Sequence, residues 1–393
     1  MKSNKKMIAA VVLATLSILG SQVVRAEDAD APKVYYKDGL HIDAADGNNS
    51  LLLNGRFQGR YTYTSLEKAS NTNTFAVQRG EIRLEGNVYK KQFKYAFEMG
   101  FATRAAATTA TVCTNAACTT TAAAVTTPST TGLPLLNDYY LDWVPTDAIG
   151  VKVGQFKVPY LYTELVSAMK QEYPDRSLIN DNLTFGRDIG ANVHGSLLNY
   201  HLNYNAFVMN GDGQNVLNAG QRALLIGTRI EVPIFGAYKY AESDVDYTEE
   251  PSLGVGLGYV FNKRNSAFEA SSIAAKTNAS HGTLDVVYRS HGLYLQGAGM
   301  VSRTHQKSPS ITNWGYSAQA GYFILPKRFE VTARAGGLIL NKALVNQYEY
   351  GAGLGYYFNK HNLKLQMDYA LLQNVRGLNL NDHRVRTQVT VVF

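Results

Sequence analysis

The last ten residues, Arg384-Val385-Arg386-Thr387-Gln388-Val389-Thr390-Val391-Val392-Phe393, constrain this chain more than any other stretch. At a period of two, Val385, Thr387, Val389, Val391 and Phe393 share one face, while Arg384, Arg386, Gln388 and Thr390 share the other. Successive side chains of a strand point to opposite faces, so this is a strand with one apolar and one wet surface. A soluble sandwich can carry such a strand, with its core on the apolar side. So can a barrel wall with lipid outside and water within. A terminal strand that ends on an aromatic residue suits the barrel.

The opposite end of the chain favours the same choice. Lys2, Lys5 and Lys6 precede an apolar run from Met7 to Leu19, and Val24-Arg25-Ala26 supplies a small-residue cleavage site before Glu27. That pattern reads as an export leader over residues 1–26. The apolar run is too short for a transmembrane helix, and no later run reaches eighteen apolar residues. Barrel strands hide their hydrophobicity in alternation, so a slightly negative mean hydropathy and 26 Tyr with 34 Gly are compatible with a membrane wall. The formal charge of +7 is misleading. Lys2, Lys5, Lys6 and Arg25 leave with the leader and no acid does, so 34 basic residues face 31 acidic ones. A balance near +3 removes the compositional case for a nucleic-acid partner.

Period-two alternation recurs along the mature chain and predicts sixteen strands. They lie near residues 51–63, 75–89, 92–103, 133–144, 149–157, 189–197, 201–209, 221–232, 251–261, 281–289, 293–302, 313–324, 328–338, 347–358, 362–372 and 384–393. Short turns at 90–91, 145–148, 198–200, 290–292, 326–327 and 359–362 alternate with longer polar connections. The expected fold is therefore all-β, a transmembrane antiparallel β-barrel of about 16 strands over 51–393, after a lead-in over 27–50 on the short-turn side. The stretch between Pro233 and Pro251 is too long for a short turn, which leaves an extended hairpin or a miscounted strand open there.

The two faces separate along every strand. Leu51, Leu53, Phe57, Tyr61 and Tyr63 oppose Asn54, Arg56, Gln58, Arg60 and Thr62, and Leu363, Leu365, Met367, Tyr369 and Leu371 oppose Lys364, Gln366 and Asp368. Tyr139, Trp143, Tyr259, Phe261, Trp314, Tyr322, Tyr356 and Phe358 fall near strand ends on apolar faces, as interfacial girdles do. The wet face collects Arg56, Arg60, Arg79, Arg83, Lys94, Arg384 and Arg386 with Glu81, Glu85, Glu98, Asp138, Glu349 and Asp368 among others. A dry core does not tolerate so many charges, so this face is expected to line a wet lumen.

Gly154-Gln155-Phe156-Lys157-Val158-Pro159-Tyr160, then Asp175-Arg176-Ser177 and Gly186-Arg187-Asp188-Ile189-Gly190, resemble segments of the phosphate-selective porin O and P family. Asn210-Gly211-Asp212-Gly213 and Asp38-Gly39 add to a resemblance that runs from about residue 38 to Phe393. It implies a sixteen-stranded outer-membrane barrel of a Gram-negative bacterium, usually a homotrimer in outer-membrane lipid, with a third outer loop folded inward. Here that constriction loop corresponds to roughly 158–187 and carries Glu164, Lys170, Glu172, Asp175, Arg176, Asp181 and Arg187, with Lys157 at its start. Its apolar residues Leu161, Leu165, Val166, Met169, Leu178, Ile179 and Phe185 argue for a packed loop. One departure concerns selectivity. Family members often carry a doubled arginine in the second strand with a third two positions on, where this chain has Gln78, Arg79 and Glu81.

Closure would set the last strand beside the first, so Arg384, Arg386, Arg56, Arg60, Arg79 and Arg83 would form a basic wall opposite an acidic loop. Such a transverse field orients dipolar solutes and favours anions. The arginines could instead serve only as wall partners of Glu81 and Glu85. Cys113 and Cys118 lie four residues apart in an Ala/Thr-rich tract, where export favours a disulfide staple. Gly254–Gly258 and Gly351–Gly355 lie inside alternating strands and open no helix, so they are not nucleotide loops. No nucleophile, base and orienting group converge in any motif, and no metal or other cofactor is expected. The sequence therefore points to passive diffusion of small hydrophilic solutes with an anion bias, phosphate included. A non-selective diffusion porin, or a barrel anchoring an enzyme or adhesin, are the alternatives.

Overall fold

The computed structural model describes residues 31–101, 135–217, 224–262, 278–305, 311–341, 345–375 and 378–393. Two short strands, β1 (Lys33–Tyr36) and β2 (Leu40–Asp43), form a hairpin. There follow β3 (Ser50–Ser65), β4 (Thr72–Val88), β5 (Phe93–Gly100), β6 (Leu135–Thr146), β7 (Ile149–Lys157), β8 (Arg187–Leu197), β9 (Leu202–Met209) and β10 (Leu225–Phe235). The second half comprises β11 (Ser252–Asn262), β12 (Asn278–Ser290), β13 (Leu293–His305), β14 (Ile311–Leu325), β15 (Phe329–Ile339), β16 (Gln347–Asn359), β17 (Leu363–Gln373) and β18 (Asn381–Val392). Each of the sixteen expected strands is present. β3 to β18 pair antiparallel in chain order and β18 pairs with β3, closing a sixteen-stranded barrel. Closure leaves the sixteen barrel strands no free edge, which lets strands cross hydrocarbon with their backbone groups paired.

The seam shows how the chain ends cooperate. β18 runs along β3 from His383 opposite Ser65 to Val392 opposite Arg56, and β2 takes over opposite Ser50 to Leu53. Between them Gly55 and Phe393 exchange both backbone hydrogen bonds, at 2.6 and 2.9 Å. Residues 33–43 of the expected lead-in are thus part of the sheet.

Alternation decides the faces as expected. Leu53, Phe57, Leu141, Val153, Leu257, Leu284 and Met367 are exposed on the outside, with Trp143, Tyr259, Trp314, Tyr322, Tyr356 and Phe358. Gln58, Arg60, Glu98, Arg229, Asp285, Glu330, Lys364 and Arg386 are buried on the inside. One irregularity lies in β4, where Arg79 pairs with Gln58 and Val77 pairs with Gly59, leaving Gln78 as an extra residue. This bulge flips the phase of the strand, so Phe75 faces outward while Arg79, Glu81 and Arg83 face inward.

The β10–β11 connection departs from expectation. It is neither an extended hairpin nor a miscounted strand: residues 236–250 form no strand, and Glu242, Ser243, Asp244 and Val245 are buried. Cys113 and Cys118 lie outside the described residues.

Candidate functional site

Residues 158–186 join β7 to β8 at the end of the barrel that carries the long connections. They contain two short helices, α1 (Tyr162–Leu165) and α2 (Leu178–Leu183), with a 3-10 turn at Ala168–Lys170 between them. Leu161, Ile179 and Leu183 pack with Phe156, Phe207, Val260, Met300 and Leu338 in one buried cluster. Burying such side chains is worth roughly 1.5–3 kcal/mol each, enough to order a long connection. Lys157 and Arg187, assigned to the loop from sequence, are the last residue of β7 and the first of β8.

The segment is also tied to inner-face side chains of distant strands. Arg60 Nη1 donates to Asp175 Oδ2 at 2.9 Å and Nη2 to the Pro174 carbonyl. Arg334 Nη1 donates to the Asp175 carbonyl at 2.9 Å, and its guanidinium lies 4.1 Å from the centre of the Tyr173 ring. Lys364 and Gln366 donate to the carbonyls of Gln171 and Glu172. Glu349 accepts from the Leu178 backbone at 2.9 Å, at the first residue of α2.

Two charge clusters result. In the first, Asp175 stands 2.9 Å from Arg60, 3.7 Å from Arg386 and 3.8 Å from Arg79. Burial opposes ionisation of Asp175, yet the three guanidinium groups hold its carboxyl well below the usual carboxylate range. Arg386 also grips Asp368 with two nitrogens, and Arg384 pairs with Glu349 at 3.4 Å. In the second, Glu98 receives Arg56 and Arg83 at 2.9 Å and Arg187 at 3.3 Å. Asp138 joins it, 2.7 Å from Arg187 and 3.1 Å from Arg83. Arg56 also reaches Glu81 at 3.7 Å, and Arg83 reaches Glu85 at 2.7 Å.

The remaining candidates divide. Lys157 Nζ donates to the carbonyls of Glu164 and Val166 at 2.7 and 2.8 Å. Arg176 holds Glu164 at 3.5 Å, and Asn180 donates to Glu164 at 2.8 Å. Burial works against the Glu164 charge, but Arg176 and Lys157 keep its carboxyl below the usual range. These groups brace the segment from within. Asp181 is exposed, and so is Lys94, which lines a cavity of about 530 Å³ with Lys152, Asn192, Asn205 and Glu231.

Sequence reasoning missed the second inner segment. Residues 236–250 enter from the short-turn end and meet 158–186, where the Glu242 amide donates to the Lys170 carbonyl at 2.9 Å. Tyr162 donates to the Lys239 and Ala241 carbonyls at 2.8 and 2.7 Å. Arg229, bound to Asp285 at 2.7 Å, also donates to Tyr238 at 3.0 Å. The glycines of β11 make the space: a Cβ at Gly254 would clash with the Tyr238 ring, and one at Gly258 would lie 2.6 Å from the Tyr160 carbonyl. The available signals were the excess length between Pro233 and Pro251 and glycines at alternate positions of β11.

Comparison with known proteins agrees with this architecture. The profile of the family described as phosphate-selective porin O and P matches residues 52–393. No individually curated protein matches the sequence. An anion-selective porin from Comamonas acidovorans superposes with a TM-score of 0.60 at 12% identity, covering 88% of this chain and 100% of that one. OmpF of Salmonella typhi, solved with daunomycin, gives 0.58 at 16% identity, covering 92% and 100%. OmpT of Vibrio cholerae in its trimer form gives 0.53 at 11% identity, covering 87% and 99%.

Proposed function

Since the chain belongs to the phosphate-selective porin O and P family and is an outer-membrane porin of Gram-negative bacteria, we propose that it passes small hydrophilic solutes with a bias toward anions. Segment 158–186 is its constriction, entering from the outer face, and segment 236–250 narrows the same lumen from the periplasmic side. One observation carries the anion bias. Asp175 faces Arg60, Arg79 and Arg386, and Asp368 adds one more carboxylate on Arg386, so three guanidinium groups exceed two acids where loop and wall meet. Guanidinium groups replace the hydration of phosphate and carboxylate in bidentate fashion, and several weak sites in series permit both capture and release. Phosphate is the anion the family's description suggests.

A second reading, general diffusion without selectivity, is favoured by the other cluster, where Arg56, Arg83 and Arg187 are each matched by Glu98 or Asp138. Reversal potentials in a salt gradient separate the two. Replacing Arg60 and Arg79 with Gln should shift permeability toward cations and weaken phosphate block of chloride current. An unchanged permeability ratio in a folded double variant replaces the anion-biased reading with general diffusion. A homotrimer in outer-membrane lipid, after removal of residues 1–26, completes the proposal. The trimer form solved for OmpT supports the assembly. Mass spectrometry of outer membranes should find Glu27 at the N-terminus. No catalytic role is proposed.

A further inference from the structure

Three buried carboxylates converge where the two inner segments meet: Glu172 on 158–186, Glu242 on 236–250 and Glu330 on β15. Two of them are supplied with donors. Glu242 accepts from the Glu172 backbone at 2.8 Å and from Gln319 at 3.2 Å. Glu330 Oε2 accepts from Tyr357 at 2.6 Å and from Ser243 at 2.9 Å. Glu172 is 3% exposed, and neither of its carboxyl oxygens has a donor. Glu330 Oε1 lacks one as well. These orphan atoms converge over Gly321, where a Cβ would strike Glu172 Oε1 and lie 2.7 Å from Glu330 Oε1.

A single proton completes the arrangement. Placed on Glu172 Oε1, it donates to Glu330 Oε1 and removes one of the buried like charges. Burial, then the neighbouring charges of Glu330 and Glu242, push the Glu172 carboxyl well above its ordinary range, against a smaller opposing pull from the Gln319 amide, which donates to Glu242. The surroundings offer no sufficient alternative. Lys364, from β17, donates to the Gln171 carbonyl, and one ammonium does not neutralise three carboxylates. His361, in the turn before β17, is held neutral by burial and by the charges of Lys364 and Lys170. Arg289 is committed to Tyr162 and the Ala241 carbonyl, and Tyr357 already donates to Glu330.

We propose that Glu172, protonated and bonded to Glu330, is a latch that fastens the two inner segments to the barrel wall, and that its deprotonation as pH rises releases segment 236–250 and widens the passage. The inference rests on the channel reading above. Ser243 and Glu242 give the latch its reach, because they bind Glu330 and the Glu172 backbone from the periplasmic segment. With Glu172 ionised, two carboxylates confront each other without a shared proton, and the contacts that residues 242–243 make with Glu330 and the Glu172 backbone are weakened together.

Single-channel conductance of the full chain in planar bilayers, stepped from acidic to alkaline pH, tests this. The wild-type conductance should rise with pH. Glu172→Gln donates an amide hydrogen at every pH, so its conductance should stay at the acidic wild-type level. Gly321→Ala, whose methyl group pushes the pair apart, should stay at the alkaline level. Heat-modifiable mobility on gels confirms that each variant folds, and Glu172→Gln against wild type suffices if Gly321→Ala does not. A pH-independent wild type, or a Glu172→Gln profile identical to a pH-dependent wild type, overturns the latch. Folded protein that forms no channels at all overturns the channel reading instead.

Discussion

Asp175 and Arg60, 115 residues apart in sequence, meet at 2.9 Å and tie the segment between β7 and β8 to the first strand of the barrel. Arg79 and Arg386 share the same carboxylate, so this acid offsets part of the positive charge where segment and wall meet. Asp175→Asn should raise the anion-to-cation permeability ratio, measured by reversal potential. It should also destabilise the segment by roughly 1–3 kcal/mol through the unpaired guanidinium groups. The pH dependence follows from a carboxyl whose folded pKa is depressed. Its stabilisation is present above the unfolded value near pH 4 and is lost only as pH falls further, so the Asp175 tie should persist from neutral to mildly acidic pH.

Phe393 closes the barrel against Gly55, and its ring covers the site where a Cβ on Gly55 would lie 2.6 Å away. Deleting Phe393 should reduce the heat-modifiable fraction on gels, because the last backbone pair of the seam disappears with it. Gly55→Val should destabilise the seam by overpacking, about 1–3 kcal/mol in denaturant titrations. A heat-modifiable fraction equal to wild type after the deletion would count against this role.

Gly254 gives Tyr238 its place inside the barrel. Gly254→Val should expel Tyr238 and loosen residues 236–250 while the outer face of β11 stays intact. Conductance should therefore increase in a barrel that still folds. Failure to fold would mean instead that the segment is required for barrel assembly.

Leu257 is exposed on the outer face of β11, one residue from the inward-facing Gly258. Leu257→Arg should cost about 2–4 kcal/mol in lipid if it lies near mid-membrane, read from unfolding titrations in vesicles. Lys94→Ala, on the inner face, should leave stability unchanged, because its side chain is exposed to the lumen.

Strand number, strand faces and barrel class were legible because each strand carries its own alternation and needs no distant partner to display it. The terminal aromatic and the charged face could be read in the same local way. The bulge at Gln78 was not, since an extra residue changes which positions oppose one another without changing composition. The partners of the arginines were invisible for a related reason. Arg60 could have met Glu81 or Glu85 on the neighbouring strand, and reaches Asp175 only because the 158–186 segment packs on Ile179 and Leu183 and brings its acid there. The inward course of 236–250 and the meeting of Glu172 with Glu330 depend on space left by Gly254, Gly258 and Gly321 on strands far apart in sequence. Periodicity is a property of one strand, whereas a filled lumen is a property of all sixteen at once.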